Sequence, residues 1–435
     1  MRVAVVGLGK IGLPLAVQYA SKGANVVGVD VNPETVRLVN AGVEPFPGEA
    51  GLGDKLQKVT GAHDLRATTN YADAIPGSDV VVVVVPLFVD AESKPDFGWM
   101  DSATRDIAAN ITPGTLVCYE TTLPVGTTRN RWKPLVESIS GLVEGKDFHL
   151  VFSPERVLTG RVFSDLRRYP KLIGGLTDEG ARRARDFYET ILDFDERPDL
   201  PRPNGVWDLG SAEASEMAKL AETTYRDVNI GLANQFALFA ESHGIDVYAV
   251  IDACNSQVYS HIHRPGIAVG GHCIPVYPRL YLSVDPDASI VREARQVNAA
   301  MPERMVAQAE ELLGSLDGLR AVVLGATYRG GVKETAFSGV FPTVAALKER
   351  GAEVVVHDDI MDDADLTQVG LSPYHLGEPI DLAIVQTDHS RYKTLSAQEL
   401  PGVKLLVDGR RVTDPALWTG VPRVVLGEGQ SERQS

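Results

Sequence analysis

The run Arg2-Val3-Ala4-Val5-Val6 leads directly into Gly7-Leu8-Gly9-Lys10-Ile11-Gly12. A β-branched run followed by a glycine turn that opens a helix constrains the fold of this chain more than any other feature. In such a turn Gly7 permits the tight bend, Gly9 lets the backbone approach a pyrophosphate, and Gly12 allows close helix–strand packing. The spacing alone is common, but here a second run, Asn25–Val29, ends at Asp30. A carboxylate at that point can accept hydrogen bonds from both hydroxyls of an adenosine ribose. It also repels a 2′-phosphate, which points to NAD rather than NADP. Lys10 and Ile11 in the turn, Pro86 after a later run, and Thr122 are the other expected cofactor contacts. A glycine turn with no ligand is the alternative.

Further apolar runs at Val80–Val85, Thr115–Tyr119 and His149–Phe152 alternate with helical patterns such as Leu13–Ser21 and Pro33–Ala41. That alternation predicts a parallel, doubly wound sheet. The prolines and polar residues from Asp199 to Gly205 break the pattern and mark a boundary. A stretch without a breaker, Ser211 to Ser242, then predicts a long connecting helix that can also serve a dimer interface, followed by a helix near Val247–Cys254. From Leu319 the pattern restarts, with strands at Ala321–Leu324, Glu353–His357, Leu382–Gln386 and Lys404–Asp408 and a helix at Phe341–Glu349. The expected fold is therefore α/β, with two Rossmann-like doubly wound domains joined by a central long-helix region. The expected division is 1–203, 204–300 and 301–435. The tail after Gly427, ending Gly-Gln-Ser-Glu-Arg-Gln-Ser, has no apolar content and is expected to be disordered.

Composition narrows the partners. The 435 residues carry a net charge of -16, so a polyanionic nucleic acid or an anionic membrane surface is repelled on average. A local basic pocket for one diphosphate remains compatible with that charge. Cys118, Cys254 and Cys273 form an odd set without CxxC spacing, which fits a reducing compartment and offers no metal site. The first residues run straight into a strand, leaving no room for a signal peptide. Val80–Val85 is too short to span a membrane. The expectation is a cytoplasmic protein.

Within Gly270-Gly271-His272-Cys273-Ile274-Pro275 the thiol follows two glycines on a backbone free to bend sharply. With a nicotinamide cofactor, a thiol so placed suggests oxidation of an aldehyde to an acid through a covalent thiohemiacetal. Read from the hexapeptide alone, Cys273 is a small residue packed in a tight turn, since most cysteines are packing residues; the rest of the chain changes that reading.

With these pieces placed, the chain resembles the UDP-sugar 6-dehydrogenases, and within them the UDP-N-acetylmannosamine dehydrogenase branch. The resemblance covers nearly the whole chain. It rests on Gly7–Pro14, Glu120–Thr128, Ser153–Val157 with Gly160-Arg161, Lys219–Glu222, Tyr225–Ile230, Pro265-Gly266, Gly270–Pro275 and Asp408–Arg410. It implies an amino-terminal NAD domain, a central dimerisation region, a carboxy-terminal domain for the nucleoside diphosphate, and a homodimer. It implies that a primary alcohol, the sugar C6, is oxidised in two steps to a carboxylate. Carried over, Cys273 is the nucleophile and Lys219 stabilises the oxyanion. Thr122 positions the water or hydroxyl, and Glu155 acts near proton transfer or the substrate hydroxyls. An exposed helix lysine is the other reading of Lys219, and capping the other reading of Glu155 and Thr122. Gly270, Arg329 and Arg410 join Glu155 and Lys219 as expected substrate contacts, with Arg264 and Arg279 as further candidate anion ligands.

The departures from the family pattern cluster at the active site, where the resemblance implies an Asp that assists the water step and an Asn that serves the oxyanion, and they extend to the substrate side. Tyr277 stands where the family has an Asp after the cysteine, and Thr223 where it has an Asn one turn after the lysine. Tyr259 and Ala336 each replace an Arg, and Arg329 replaces a Lys. Three readings follow. The first is four-electron oxidation of a non-standard nucleotide sugar. The second is two-electron oxidation or epimerisation of a nucleotide sugar or a small anionic alcohol. The third is an NAD-binding protein without catalysis. Solvent-oxygen incorporation into product separates the first two.

Overall fold

The computed structural model describes residues 1–90 and 94–429. It divides into two compact units, Met1–Ala221 and Glu222–Ser435. In the first, the apolar runs form strands β1 (Arg2–Val6), β2 (Asn25–Val29), β3 (Leu65–Thr68), β4 (Val80–Val83), β5 (Leu116–Tyr119), β6 (His149–Phe152), β7 (Lys171–Gly175) and β8 (Val206–Asp208). Their order in the sheet is β8-β7-β6-β5-β4-β1-β2-β3. Strands β1 to β6 are parallel in the order 3-2-1-4-5-6, the doubly wound dinucleotide arrangement. Strand β7 then runs antiparallel to β6, and β8 parallel to β7. The central strands are buried on both faces, as near-continuous valine runs require.

The loop from β1 enters helix α1 (Gly12–Ser21), and Pro33–Asn40 forms α2, capped by the Asn32 side chain on the Glu34 amide. Helix α3 (Asp178–Ile191) covers the far side of the sheet and buries Ala184, Phe187, Tyr188 and Ile191. The segment Asp199–Gly205 is followed by β8 of the same sheet. Helix α4 (Ala212–Ser242) begins in this unit and continues into the second.

The second unit adds α5 (Val247–Asn255), α6 (Tyr277–Leu282), α7 (Ser289–Leu313) and α8 (Val340–Glu349) around a five-stranded parallel sheet. Its strands are β9 (Arg320–Leu324), β10 (Glu353–His357), β11 (Leu382–Val385), β12 (Leu405–Asp408) and β13 (Arg423–Val425), in the order β10-β9-β11-β12-β13. That order reverses between β9 and β11, so a ligand crevice is expected beyond the carboxyl ends of those strands. The loops carrying Arg329 and Arg410 follow β9 and β12 at that end.

The start of the tail is ordered, contrary to expectation. The Gly427 amide donates to Glu241, the Val247 amide donates to the Gly427 carbonyl, and the Gly429 amide donates to Ile245. The rest of the expected disordered tail, residues 430–435, lies outside the described residues. Among the described residues no helix is long and apolar enough to cross a membrane.

Candidate active site

The glycine turn has the geometry its spacing implies. Gly7 has φ +93°, and a Cβ on it would stand 2.9 Å from the Val84 carbonyl oxygen. A Cβ on Gly12 would sit 1.9 Å from the Gly7 carbonyl oxygen, so any larger residue there pushes α1 off the strand. Gly9 faces open space. The first turn of α1 has no acidic residue and no capping side chain, which leaves the positive end of the helix available to an anion. Lys10 and Pro86 are exposed and Ile11 is half-buried. A groove beside the turn is lined by Gly9, Lys10, Leu13 and Pro14 and, opposite, by Pro47 and Glu49.

Asp30 spends one lone pair of each oxygen on the backbone. Its Oδ2 accepts from the Leu8 amide at 2.8 Å and its Oδ1 from the Asn32 amide at 2.9 Å. Each oxygen can still accept a hydroxyl, so the residues fit a dinucleotide. Thr122 is buried, and its neighbour Thr121 donates its hydroxyl to the Val85 carbonyl at 2.6 Å, tying the two loops together.

Behind this turn lies a buried charged cluster. Lys171, at the start of β7, places its ammonium 3.0 Å from Glu120 and 2.8 Å from Glu155. The Glu120 Oε1 accepts from Tyr188 at 2.6 Å and from Tyr19 at 3.4 Å. The Glu155 Oε1 accepts from the Arg156 amide at 2.7 Å, and its carbonyl accepts from Lys219 Nζ at 2.8 Å. Lys219 is thus not an exposed helix lysine: it is buried on α4 and bonded to Glu155. Burial pushes the Glu120 carboxyl up to about 7, with Lys171 opposing it and Glu155 reinforcing it. Burial acts the same way on Glu155, but Lys171, the Arg156 amide and Lys219 outweigh it and hold that carboxyl below the ordinary range. For Lys171 the two carboxylates outweigh the burial that would lower it. Glu120 and Lys171 were given no role by sequence reasoning. Glu120 lay inside a quoted motif, and Lys171 stood directly before the apolar Leu172-Ile173, a position as common for a surface lysine.

In the second unit the cysteine turn is shaped by its glycines in an unexpected way. Their bare faces do not open onto free space. A Cβ on Gly270 would come 2.7 Å from the Tyr328 Cβ and 2.9 Å from the Phe337 carbonyl oxygen. Gly271, at φ +89°, lies under the Tyr328 ring, and its amide donates to the Ala336 carbonyl at 2.9 Å. The glycines therefore let the turn dock on residues 328–338. Phe337 in that loop holds φ +49°, left-handed for a bulky residue. The Cys273 carbonyl accepts from the Tyr277 amide at 2.9 Å and so starts α6, with the thiol half-buried. Tyr277 is the first residue of α6, and Thr223 is fully buried on α4.

Arg410 bonds the Gln386 carbonyl at 2.9 Å, and burial pulls its guanidinium below the ordinary value against the opposing charge of Asp388. Arg329 is exposed above the Tyr328 ring. Arg264 is already engaged by Asp252, and Arg279 is half-buried on α6. Tyr259 is 90% exposed, beyond the end of α5.

Residues 1–192, 213–300 and 322–415 match, respectively, the NAD binding, central and UDP binding domains of the UDP-glucose/GDP-mannose dehydrogenase family. A UDP-N-acetyl-D-mannosamine dehydrogenase of Pyrococcus horikoshii is 34% identical over 420 residues, covering 95% of this chain and 96% of that protein. One from Methanocaldococcus jannaschii is 30% identical, covering 99% and 97%. Among solved structures, the UDP-D-ManNAc dehydrogenase of Pyrococcus horikoshii superposes with a TM-score of 0.88 at 32% identity, over 99% of this chain and 100% of that one. An NDP-N-acetyl-D-galactosaminuronic acid dehydrogenase of Methanosarcina mazei gives 0.84 at 27%, over 100% and 96%.

Proposed function

The chain belongs to the UDP-glucose/GDP-mannose dehydrogenase family, and we propose that it oxidises the C6 alcohol of a UDP-linked N-acetylhexosamine to the carboxylate. The observation that carries the reading is the pairing of Lys219 with Glu155 in a water-poor cluster, alongside family matches through the NAD and UDP binding domains. The amides of the Gly7–Gly12 turn would meet the pyrophosphate, and Asp30 the ribose. NAD bound there supplies the hydride acceptor.

In this reading Cys273 Sγ adds to the aldehyde carbon to give a thiohemiacetal; loss of its hydride to a second NAD would leave a thioester on Sγ, which water hydrolyses to the acid, returning the thiol. Lys219 offsets the alkoxide charge. Glu155 holds a proton acceptor in reach of substrate hydroxyls, and Thr122 orients the hydroxyl or water. Gly270, Thr223, Tyr259, Tyr277, Arg329 and Arg410 serve the sugar nucleotide. Three functional segments follow, 1–203 for NAD, 204–300 for dimerisation and 301–435 for the nucleotide. Exposed Tyr225, Leu232, Phe236 and Phe239 recur at helical spacing on α4 and support a homodimer. Unpaired cysteines support a cytoplasmic setting.

The test is to count NADH against UDP-N-acetylmannosamine and UDP-N-acetylgalactosamine in labelled water. Two NADH per acid, with one solvent oxygen incorporated, is the expected result. One NADH with no acid would favour the two-electron reading, for which the replacement of Asp by Tyr277 is the specific observation.

A further inference from the structure

We propose that Lys171, clamped between Glu120 and Glu155, is a positioning residue: it fixes the Glu155 carboxylate and, through the Glu155 peptide, the ammonium of Lys219. This rests on the reading of Glu155 and Lys219 as reaction groups. Glu155 is held at four polar atoms. Its Oε2 meets Lys171 at 2.8 Å and its Oε1 the Arg156 amide at 2.7 Å. Its own amide donates to the Glu120 carbonyl at 3.2 Å, and its carbonyl takes Lys219 at 2.8 Å. Lys171 in turn cannot swing away, because Glu120 holds it from the other side at 3.0 Å and its ammonium lies 4.7 Å over the Tyr188 ring.

A buried trio of charges is a poor device for stability, since an apolar trio of the same volume generally does as well. Its use is directional, because it selects one rotamer of Glu155 and one protonation state. The groups facing the cluster are Tyr19 from α1, Cys118 and Glu120 from β5 and its end, Tyr188 from α3, Arg156 through its amide, and Lys219 from α4. Of these, Lys171 and Lys219 are the cations that pull Glu155 toward the ionised form.

The experiment compares Lys171→Met, Lys171→Arg, Glu155→Gln and the double variant Lys171→Met/Glu120→Gln with the unmodified protein. Lys171→Met should lower kcat by about 100-fold, the cost of a misplaced group, with little change in KM for NAD. It should also move the acid limb of kcat/KM upward by about one pH unit or more, because an ammonium that favours ionised Glu155 is gone. Lys171→Arg should retain most activity. The double variant removes the excess buried negative charge, so its melting temperature should recover while kcat and the acid limb do not. Recovery of kcat together with melting temperature would mean a merely structural ion pair and overturn the proposal, as would an unmoved acid limb in Lys171→Met.

An active Glu155→Gln, or no NADH from the unmodified protein with any nucleotide sugar, would instead bring down the functional reading. Lys171 is then judged by the Glu155 carboxyl band, taken as the infrared difference against Glu155→Gln across pH. Protonation at higher pH in Lys171→Met upholds its effect on Glu155, and an unshifted titration refutes it.

Discussion

Replacing Gly271 with alanine should damage the cysteine turn by an amount the geometry sets. The residue sits at φ +89°, where an L side chain costs roughly 1–2 kcal/mol. The new Cβ would lie 3.0 and 3.1 Å from Tyr328 ring atoms, and turning that ring off its rotamer adds about 0.5–1.5 kcal/mol. The sum, about 1.5–3.5 kcal/mol, corresponds to a fall in melting temperature of about 3–14 °C for a unit of this size. A turn displaced by about 1 Å would also carry Cys273 with it, and turnover should drop by about 100-fold. The two contributions separate in a second variant. Gly271→Ala combined with Tyr328→Ala removes the ring contact but not the backbone strain, so roughly the smaller half of the loss should return. Gly270→Ala should not be rescued by Tyr328→Ala, because its contacts are the Tyr328 Cβ and the Phe337 carbonyl, which that truncation leaves in place. Differential scanning calorimetry of the single and double variants, read against Tyr328→Ala alone, measures this. Equal rescue at both glycines, or a Gly271→Ala protein as stable as the parent, would refute the docking of the turn on Tyr328.

Asp30→Ala should weaken NAD binding and narrow the preference over NADP, measured by titration calorimetry with both cofactors; an unmodified protein that prefers NADP contradicts the assignment. Cys273→Ala should keep NAD affinity and lose acid formation. Iodoacetamide followed by mass spectrometry should find Cys273 alkylated before Cys118, which is fully buried with its thiol pushed up to about 12 by burial. Phe239→Asp combined with Phe236→Asp should shift the protein to a monomer in light scattering, and an unchanged mass would remove α4 as the pairing face.

The strands legible in the sequence were those with a mostly apolar core, because burial on both faces leaves no room for polar alternation. Val80–Val85 was read two residues too long, since Val84 and Val85 already turn away toward the Pro86 loop. Strand β3 was missed because Arg66 interrupts its short run and stays exposed, and β7 because it begins with a lysine and ends in two glycines. Helix α7 escaped because Pro302 lies inside it. At the site, glycine spacing announced the turn at Gly7–Gly12, whose demands are local. The cluster of Glu120, Glu155 and Lys171 was not legible, because it joins the ends of three strands whose pairing no local pattern encodes.

That same contrast orders the departures from the family pattern. Thr223, Tyr259, Tyr277 and Ala336 all fall in the unit that begins at Glu222. The residues before that point, from the glycine turn through Thr122 and Glu155 to Lys219, keep the pattern, and short part-buried hydrogen bonds hold Thr121, Glu155 and Lys219. Here Lys171 pairs with Glu120 and Glu155, and Lys219 bonds the Glu155 carbonyl. The changes instead exchange charged or amide side chains for aromatic, hydroxyl and methyl ones, and Tyr259 presents its ring at the surface. Charge has thus been removed where the sugar nucleotide would be read and preserved in the cluster that holds Glu155 and Lys219. That division favours the first of the three readings, a different sugar nucleotide, and the NADH count decides between it and the two-electron reading that Tyr277 supports.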